Sequence, residues 1–245
     1  PSEDSNLVIN NNKSGIESNN LNLVTNEPDS YALEEALQIK DQANGEVVIC
    51  TLGSDEAYSV IKDGLAKGAD RAIHINTNNL SSMSPLNIAK TICNSLKEEN
   101  FDLILSGLQS NDFGYSQVGI LISELLNMSH ASLVMGTEII ADKNVKVKRE
   151  LENGWFQWSE LDLPASLTIQ SGINEPRYAT LKGIMSVKSK PINKIDNENT
   201  DNDNGYVINN LSLPSKSKQT EKIEGSADEI ANKITDILKN KIRVI

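Results

Sequence analysis

From Pro28 onward, short apolar runs alternate with amphipathic helical patterns, and that alternation limits the fold more than any other feature of the sequence. SYALEEALQIKDQ carries Ala32, Leu33, Ala36, Leu37 and Ile39 near helical spacing. EVVICTLG is a continuous apolar run, as in a strand buried on both faces. Ser54 caps DEAYSVIKDGLAKG, a helix that Gly68 ends, and ADRAIHI is the next strand. Ser84 and Pro85 supply an N-cap and an N1 proline for PLNIAKTICNSLKEEN. FDLILSG is another strand, with QVGILISELLN the helix after it. Strands joined by helices of this length predict a doubly wound, mostly parallel α/β sheet covered on both faces.

After His130 the pattern changes. SLVMGTEIIAD, VKVKRELENG, WFQWSELDL and PASLTIQSG read as successive strands with short Asp-Lys-Asn and Glu-Asn-Gly turns, a β-rich extension of the α/β core. The core is predicted to span residues 1–191. NKIDNENTDNDNG is acidic and poor in apolar residues, so residues 192–245 read as a linker and a C-terminal arm. In that arm SADE is a capping box, Ser226 at the N-cap and Glu229 at N3, ahead of a stripe of Ile230, Ile234, Ile237 and Leu238. The stripe either folds back on its own core or docks on a partner.

Composition narrows the function. A formal charge of −11 argues against nucleic acid, whose phosphates this surface would repel. No apolar run approaches the roughly 18 residues needed to cross a bilayer, and no targeting segment is visible, so a cytoplasmic protein is expected. Cys50 and Cys93 fit neither a disulfide framework nor a zinc knuckle, and both lie on buried-looking faces. His74, inside a strand, and His130, at a helix-to-strand turn, read as structural. G-x-S-x-G, P-loop, C-x-x-C and H-E-x-x-H patterns are all absent. The sequence therefore predicts neither catalytic residues nor a metal site, and an enzyme with its own nucleophile is not expected.

One segment stands out. GLQSNDFGYSQVG, Gly107 to Gly119, leaves the carboxyl end of FDLIL and enters the next helix. Ligands of open α/β sheets bind there, and a helix N-terminus offers N–H groups and a positive dipole end to phosphate. Gly114 and Gly119 allow close backbone approach, and Ser116 and Gln117 carry donors. The spacing is not G-x-G-x-x-G, so the choice lies between a mononucleotide phosphate site and an ordinary polar loop. A second segment, GINEPRYATLKGI from Gly172 to Ile184, is too polar for a core strand. It either packs as a corner or presents Tyr178 and Leu181 to a partner.

At these residues the sequence resembles the beta subunit of electron transfer flavoprotein. The resemblance runs through YALEEALQIK, GLAKGADRAI, FDLILSGLQSNDFGYSQVG, VKRELENG, LPASLTI, NEPRYATLKGI and KSKPI, in the family's order, and more weakly through the tail EKIEGSADEIANKITDIL. It implies a fold of the adenine-nucleotide-binding type and a heterodimer whose alpha subunit holds the redox-active FAD. This subunit would carry a structural AMP, while electrons pass from flavin dehydrogenases to a membrane quinone oxidoreductase. The chemistry is then the flavin's, which accounts for the thin catalytic inventory.

Carried onto this chain, the resemblance implies an AMP site at Asn26, Glu27, Pro28 and Asp29, at Leu52, and along Gly107, Leu108, Gln109, Ser110, Asn111 and Asp112. It continues through Phe113, Gly114, Tyr115, Ser116, Gln117 and Val118, with Gln117 and Val118 offering N–H groups to the phosphate. Leu181 matches an anchor leucine that enters a pocket on the dehydrogenase, framed by Arg177, Tyr178, Ala179 and Thr180. Glu150 matches an acidic residue that helps position the flavin domain. Pro28 departs from a frequent aromatic, and Val118 from a threonine. Members with a second FAD usually read D-G-D-T where this chain has Asp112, Phe113, Gly114 and Tyr115, which favours AMP.

The resemblance also implies a short hydrophobic strand before the position of Pro1, lying between EVVIC and FDLIL. The expectation is either that strand or a gap at the centre of the sheet. Two other readings stay open: a stand-alone adenine-nucleotide-binding regulatory protein, and a bifurcating subunit with its own FAD.

Overall fold

The computed structural model describes residues 1–2, 4–17, 21–78, 80–140, 143–197, 207–214 and 220–244. They form two compact units, Pro1–Asn210 and Leu211–Ile245.

The first unit is α/β with parallel-rich sheets. Its elements run α1 (Glu27–Ala43), β1 (Val48–Gly53), α2 (Tyr58–Lys67), β2 (Arg71–Asn76), α3 (Pro85–Ser95), β3 (Leu103–Gly107) and α4 (Val118–Leu125). They continue as β4 (Ser129–Ile140), β5 (Asn144–Glu150), β6 (Phe156–Asp162), β7 (Ala165–Ile169), α5 (Leu181–Ser186) and β8 (Ile192–Asp196). The signals at Ser84 and Gly68 act as the sequence predicts, whereas Ser54 caps a 3-10 turn, Asp55–Ala57, and α2 begins only after it. Ser84 Oγ accepts from Asn87 N at 3.2 Å, and Gly68, at φ 137°, closes α2.

The strands form two sheets, β1-β2-β8 and β3-β7-β4-β5-β6. In the first, all pairs are parallel. Leu33, Ala36 and Leu37 of α1 pack with Ile61 and Leu65 of α2 on one face, and Ile92 of α3 and Leu96 just after it cover the other. In the second sheet, β3, β7 and β4 are parallel, while β5 and β6 extend the sheet as an antiparallel meander. Tyr31 and Ala32 of α1 lie on one face, and Val118, Leu121 and Ile122 of α4 join Ile104 on the other. Leu37, Ile61 and Leu65 are almost fully buried, each stabilising the fold by about 1.5–3 kcal/mol.

Three sequence expectations need revision, while the gap expected at the centre of the sheet is present: β1 and β3 are edge strands of separate sheets, spanned on one face by α1 and on the other by α3. Their inner neighbours β2 and β7 hold the fully buried runs, whereas Cys50 of β1 is exposed and only Cys93 is buried. PASLTI does not follow β6 in the meander. It returns as β7 between β3 and β4, buried along its whole length, with Ala165, Leu167 and Ile169 apolar and only the small Ser166 and Thr168 polar, which suits a position covered on both faces. Finally, the linker does not begin at Ile192. Ile192 and Ile195 are half-buried and pack on the sheet as β8, parallel to β2. The acidic stretch 198–206 lies outside the described residues.

The second unit contains α6 (Ala227–Asp236), which continues through a π-helical turn, Ile237–Ile242. Its capping box is complete: Ser226 N donates to Glu229 Oε2 at 2.8 Å, and Glu229 N to Ser226 Oγ at 3.4 Å.

Candidate functional site

The carboxyl end of β3 lies between two helix N-termini. On one face, Gly107 fits tightly under the start of α1, where a Cβ would stand 2.7 Å from Asp29 N and Pro28 C. Asp29 Oδ1 accepts from Gly107 N at 2.7 Å, and Leu108 N donates to Ile169 O of β7 at 2.9 Å. Asn26, the N-cap residue of α1, does not cap its own helix. Its Nδ2 donates to Gln109 O at 2.9 Å and to Asp29 Oδ2 at 2.8 Å, while its Oδ1 accepts from Asn111 N at 2.9 Å. Asn26 and Asp29 thus pin the loop rather than offering free groups to a ligand. Glu27 is exposed beside them.

The loop is further braced from within. Ser110 accepts from Phe113 N through Oγ and from Gly114 N through its carbonyl, and Ser116 Oγ donates to Gln109 Oε1 at 2.9 Å. Phe113 and Tyr115, on either side of Gly114, stack with centroids 5.4 Å apart and planes within 1°. Ser116 has φ 54°, and Gln117 after it is right-handed, an alternation of hand that turns successive N–H groups toward one side.

On the other face, α4 begins without a side-chain cap, and Leu121 N donates to Gln117 O in its first turn. The N–H groups of Val118, Gly119 and Ile120 therefore have no intrahelical acceptor. No Lys or Arg lies between residues 107 and 119. The donor set is neutral, so it fits a phosphate held by backbone N–H groups and a helix dipole. The unpartnered hydroxyls of Ser106 and Thr168 are sealed beneath Gly119 and are not ligand groups. Leu52, which the resemblance assigns to the same site, packs with the Ile73–Ile75–Leu96 cluster under α3. Among the described residues no group of His, Cys, Asp or Glu is arranged to hold a metal ion.

The second segment is clamped onto α1. Glu34, only 5% exposed, accepts from Arg177 Nε at 2.8 Å, Nη2 at 3.0 Å and the Arg177 backbone N at 3.1 Å. Burial pushes the Glu34 carboxyl up, but hydrogen bonds from Arg177 and Gln38 outweigh it and hold the group below its ordinary value. Asp41 adds a contact to Arg177 at 3.3 Å. Glu35 accepts from Asn174 Nδ2 at 2.9 Å and from Thr137 Oγ1 of β4. Asn174 Nδ2 also reaches Tyr31 O.

Beyond this clamp, Thr180 caps α5 by accepting from Gly183 N at 3.0 Å, and a Cβ on Gly183 would collide with the Ala66 carbonyl oxygen of α2. Lys190 Nζ closes the far end on Leu65 O and Ala69 O. The result is a fixed apolar ridge: Tyr178 is 92% exposed, Leu181 75%, Ile184 55% and Met185 71%. Ala179 is half-buried at its base. Glu150, at the end of β5, accepts instead from Gln170 Nε2 at 3.0 Å.

Sequence reasoning missed Glu34, Glu35 and Thr137. The available signal was a pair of adjacent acids set against the apolar stripe of α1. It also missed the face of β6, where Phe156 and Trp158 lie exposed beneath Lys148 and Lys146, with Nζ–centroid distances of 4.1 and 5.0 Å. The indole of Trp158 reaches Gly136, which has no side chain to block it. An open cleft of about 500 Å³ lies at the amino ends of β3 and β7, the opposite end of these strands from the loop.

A family model for the electron transfer flavoprotein domain matches residues 15–200. That span includes the braced loop, the uncapped start of α4 and the clamped ridge. The chain belongs to the electron transfer flavoprotein beta-subunit family. It is 35% identical over 224 residues to the electron transfer flavoprotein subunit beta of Methylophilus methylotrophus, covering 87% of this chain and 84% of that one. The mitochondrial subunit beta of Arabidopsis thaliana is 35% identical over 237 residues, covering 95% and 91%. The subunit beta of Bacillus subtilis is 31% identical over 228 residues, covering 91% and 88%. No helix among the described residues is long and apolar enough to cross a membrane.

Proposed function

We propose that this chain is the beta subunit of a heterodimeric, cytoplasmic electron carrier. It binds AMP structurally at the loop 107–118 and supports an FAD held mainly by an alpha subunit. Electrons pass from flavin dehydrogenases through the heterodimer to a membrane quinone oxidoreductase, and the flavin, when bound, supplies that chemistry. The family match across residues 15–200 carries the reading.

The protein's own contribution is to hold and orient. The N–H groups of Gln117, Val118 and Gly119 face the phosphate, and Asn26 and Asp29 keep the loop in place to receive it. The stacked Phe113–Tyr115 pair and the Ser110 and Ser116 bonds occupy the loop, which supports a mononucleotide over a second FAD. The ridge Tyr178–Leu181–Ile184–Met185 docks on the dehydrogenase, with Leu181 as its anchor. Glu150 is proposed to face the alpha subunit.

Co-expression with an electron transfer flavoprotein alpha subunit, followed by mass identification of the released nucleotides, tests this. One FAD and one AMP per heterodimer is the expected result. Two FAD would make the protein a bifurcating subunit. A stable monomer that retains a nucleotide and forms no flavoprotein complex would make it a stand-alone regulatory protein.

A further inference from the structure

The ridge runs from Tyr178 into α5, and the segment that leads into it has no strand or helix of its own between Ile169 and Leu181. Left free, these eleven residues would sample many orientations, and docking would carry the entropic cost of ordering them. Here the segment is held at two points by adjacent acids of α1. Glu34 binds Arg177 through both carboxylate oxygens and through the Arg177 backbone N–H. Glu35 binds Asn174 three residues earlier and is itself held by Thr137 of β4.

We infer that Glu34 is a positioning residue for partner docking: through its forked ion pair with Arg177 it presets the segment that carries Tyr178 and Leu181. The inference rests on the proposed docking role of that ridge. The geometry separates the two functions. Arg177 is turned inward, with its guanidinium bound by Glu34 and Asp41, so it is a strut and not a partner contact. Tyr178, next in sequence, is instead almost wholly exposed. A forked pair fixes the rotation of the planar guanidinium as well as its distance, which a single contact from lysine does not do. Glu34 is also fixed from below, since Gln38 Nε2 donates to its Oε1 at 3.0 Å one turn along α1. The rigid body that sets the ridge is therefore α1, the helix that also anchors the nucleotide loop through Asn26.

The test uses the purified FAD- and AMP-loaded heterodimer with a flavin dehydrogenase chosen because it reduces the wild type. Glu34→Gln keeps the shape and removes the charge; it should raise the KM for the heterodimer roughly tenfold through lost preorganisation. Its FAD and AMP content and its chemical reduction by dithionite should match wild type. Arg177→Gln should do the same from the half-exposed side, and it carries the test if Glu34→Gln does not fold. Arg177→Lys, which keeps the charge but not the fork, should fall between. If both glutamine variants keep the wild-type KM while Leu181→Ala raises it, the positioning role is wrong and the docking ridge stands. Loss of FAD or AMP in the glutamine variants would make the pair a general structural element and overturn the inference. A wild-type KM in Leu181→Ala would overturn the docking reading and this inference with it.

Discussion

Asn26 shows how one side chain divides its capacity. As an N-cap it would ordinarily satisfy the first N–H groups of its own helix, but its amide is spent on Gln109, Asn111 and Asp29, some eighty residues apart in sequence for the first two. Asn26→Ala should cost on the order of 1 kcal/mol of stability, because the bonds are half-exposed. The larger effect should be on the loop, seen as loss of AMP by mass at unchanged FAD content. The cysteines give a second residue-level prediction. Cys93 is buried, and burial pushes its thiol up, whereas Cys50 is exposed on β1. Since the thiolate is the nucleophile, Cys93 should react slowly with a disulfide reagent at pH 8 in the native protein and fast once unfolded. Rapid native labelling of Cys93 would contradict this environment.

Among the elements, α5 is short and survives by its attachments. Gly183→Ala would drive a Cβ into the Ala66 carbonyl, so α5 must lift from α2; the expected cost is about 1–3 kcal/mol in chemical unfolding. The helix of the C-terminal unit relies on local signals instead. Ser226→Ala removes the acceptor for Glu229 N and should cost about 0.5–2 kcal/mol of helix stability, visible as reduced far-ultraviolet ellipticity in the excised segment. Both contrasts were partly visible in the sequence. The capping box SADE and the Ser84-Pro85 start act within four residues of where they stand, so they could be read directly. The position of β7 could not, because LPASLTI follows β6 in the chain but pairs with β3 and β4, and nothing local encodes that return.

Over the whole molecule, three carboxylates tie acid stability to packing. Glu34 lies below its ordinary value of 4.5 for the reasons given above. Asp70 is pushed up by burial but drawn down further by Lys40 and the Val47 N–H, to below 3.8. Glu99 is lowered chiefly by its hydrogen bonds from Arg71. A carboxyl whose folded pKa lies below its unfolded one contributes stability that is present above the unfolded value and is lost as pH falls through the folded one. Stability should therefore hold from neutral pH down to about 4.5 and drop beneath it, and Arg177→Gln should lessen the drop. A urea titration at pH 7, 5 and 3.5 checks the sign.

The α/β class, the helix start at Ser84-Pro85, the helix end at Gly68 and the position of the loop after β3 follow from the sequence by itself, since hydrophobic period, caps and turns act over a few residues. The nucleotide loop was legible as a segment, but its bracing was not: Asn26 and Gln109, or Glu34 and Arg177, become neighbours only when α1 is laid across both sheets. The division into β1-β2-β8 and β3-β7-β4-β5-β6 falls at the gap expected between EVVIC and FDLIL, but the places of β7 and β8 within those sheets were not legible. Apolar strands carry no record of which edge they will pair, because backbone N–H and C=O groups are alike in every strand. Tertiary structure decided those pairings, and with them which acids of α1 would become a clamp.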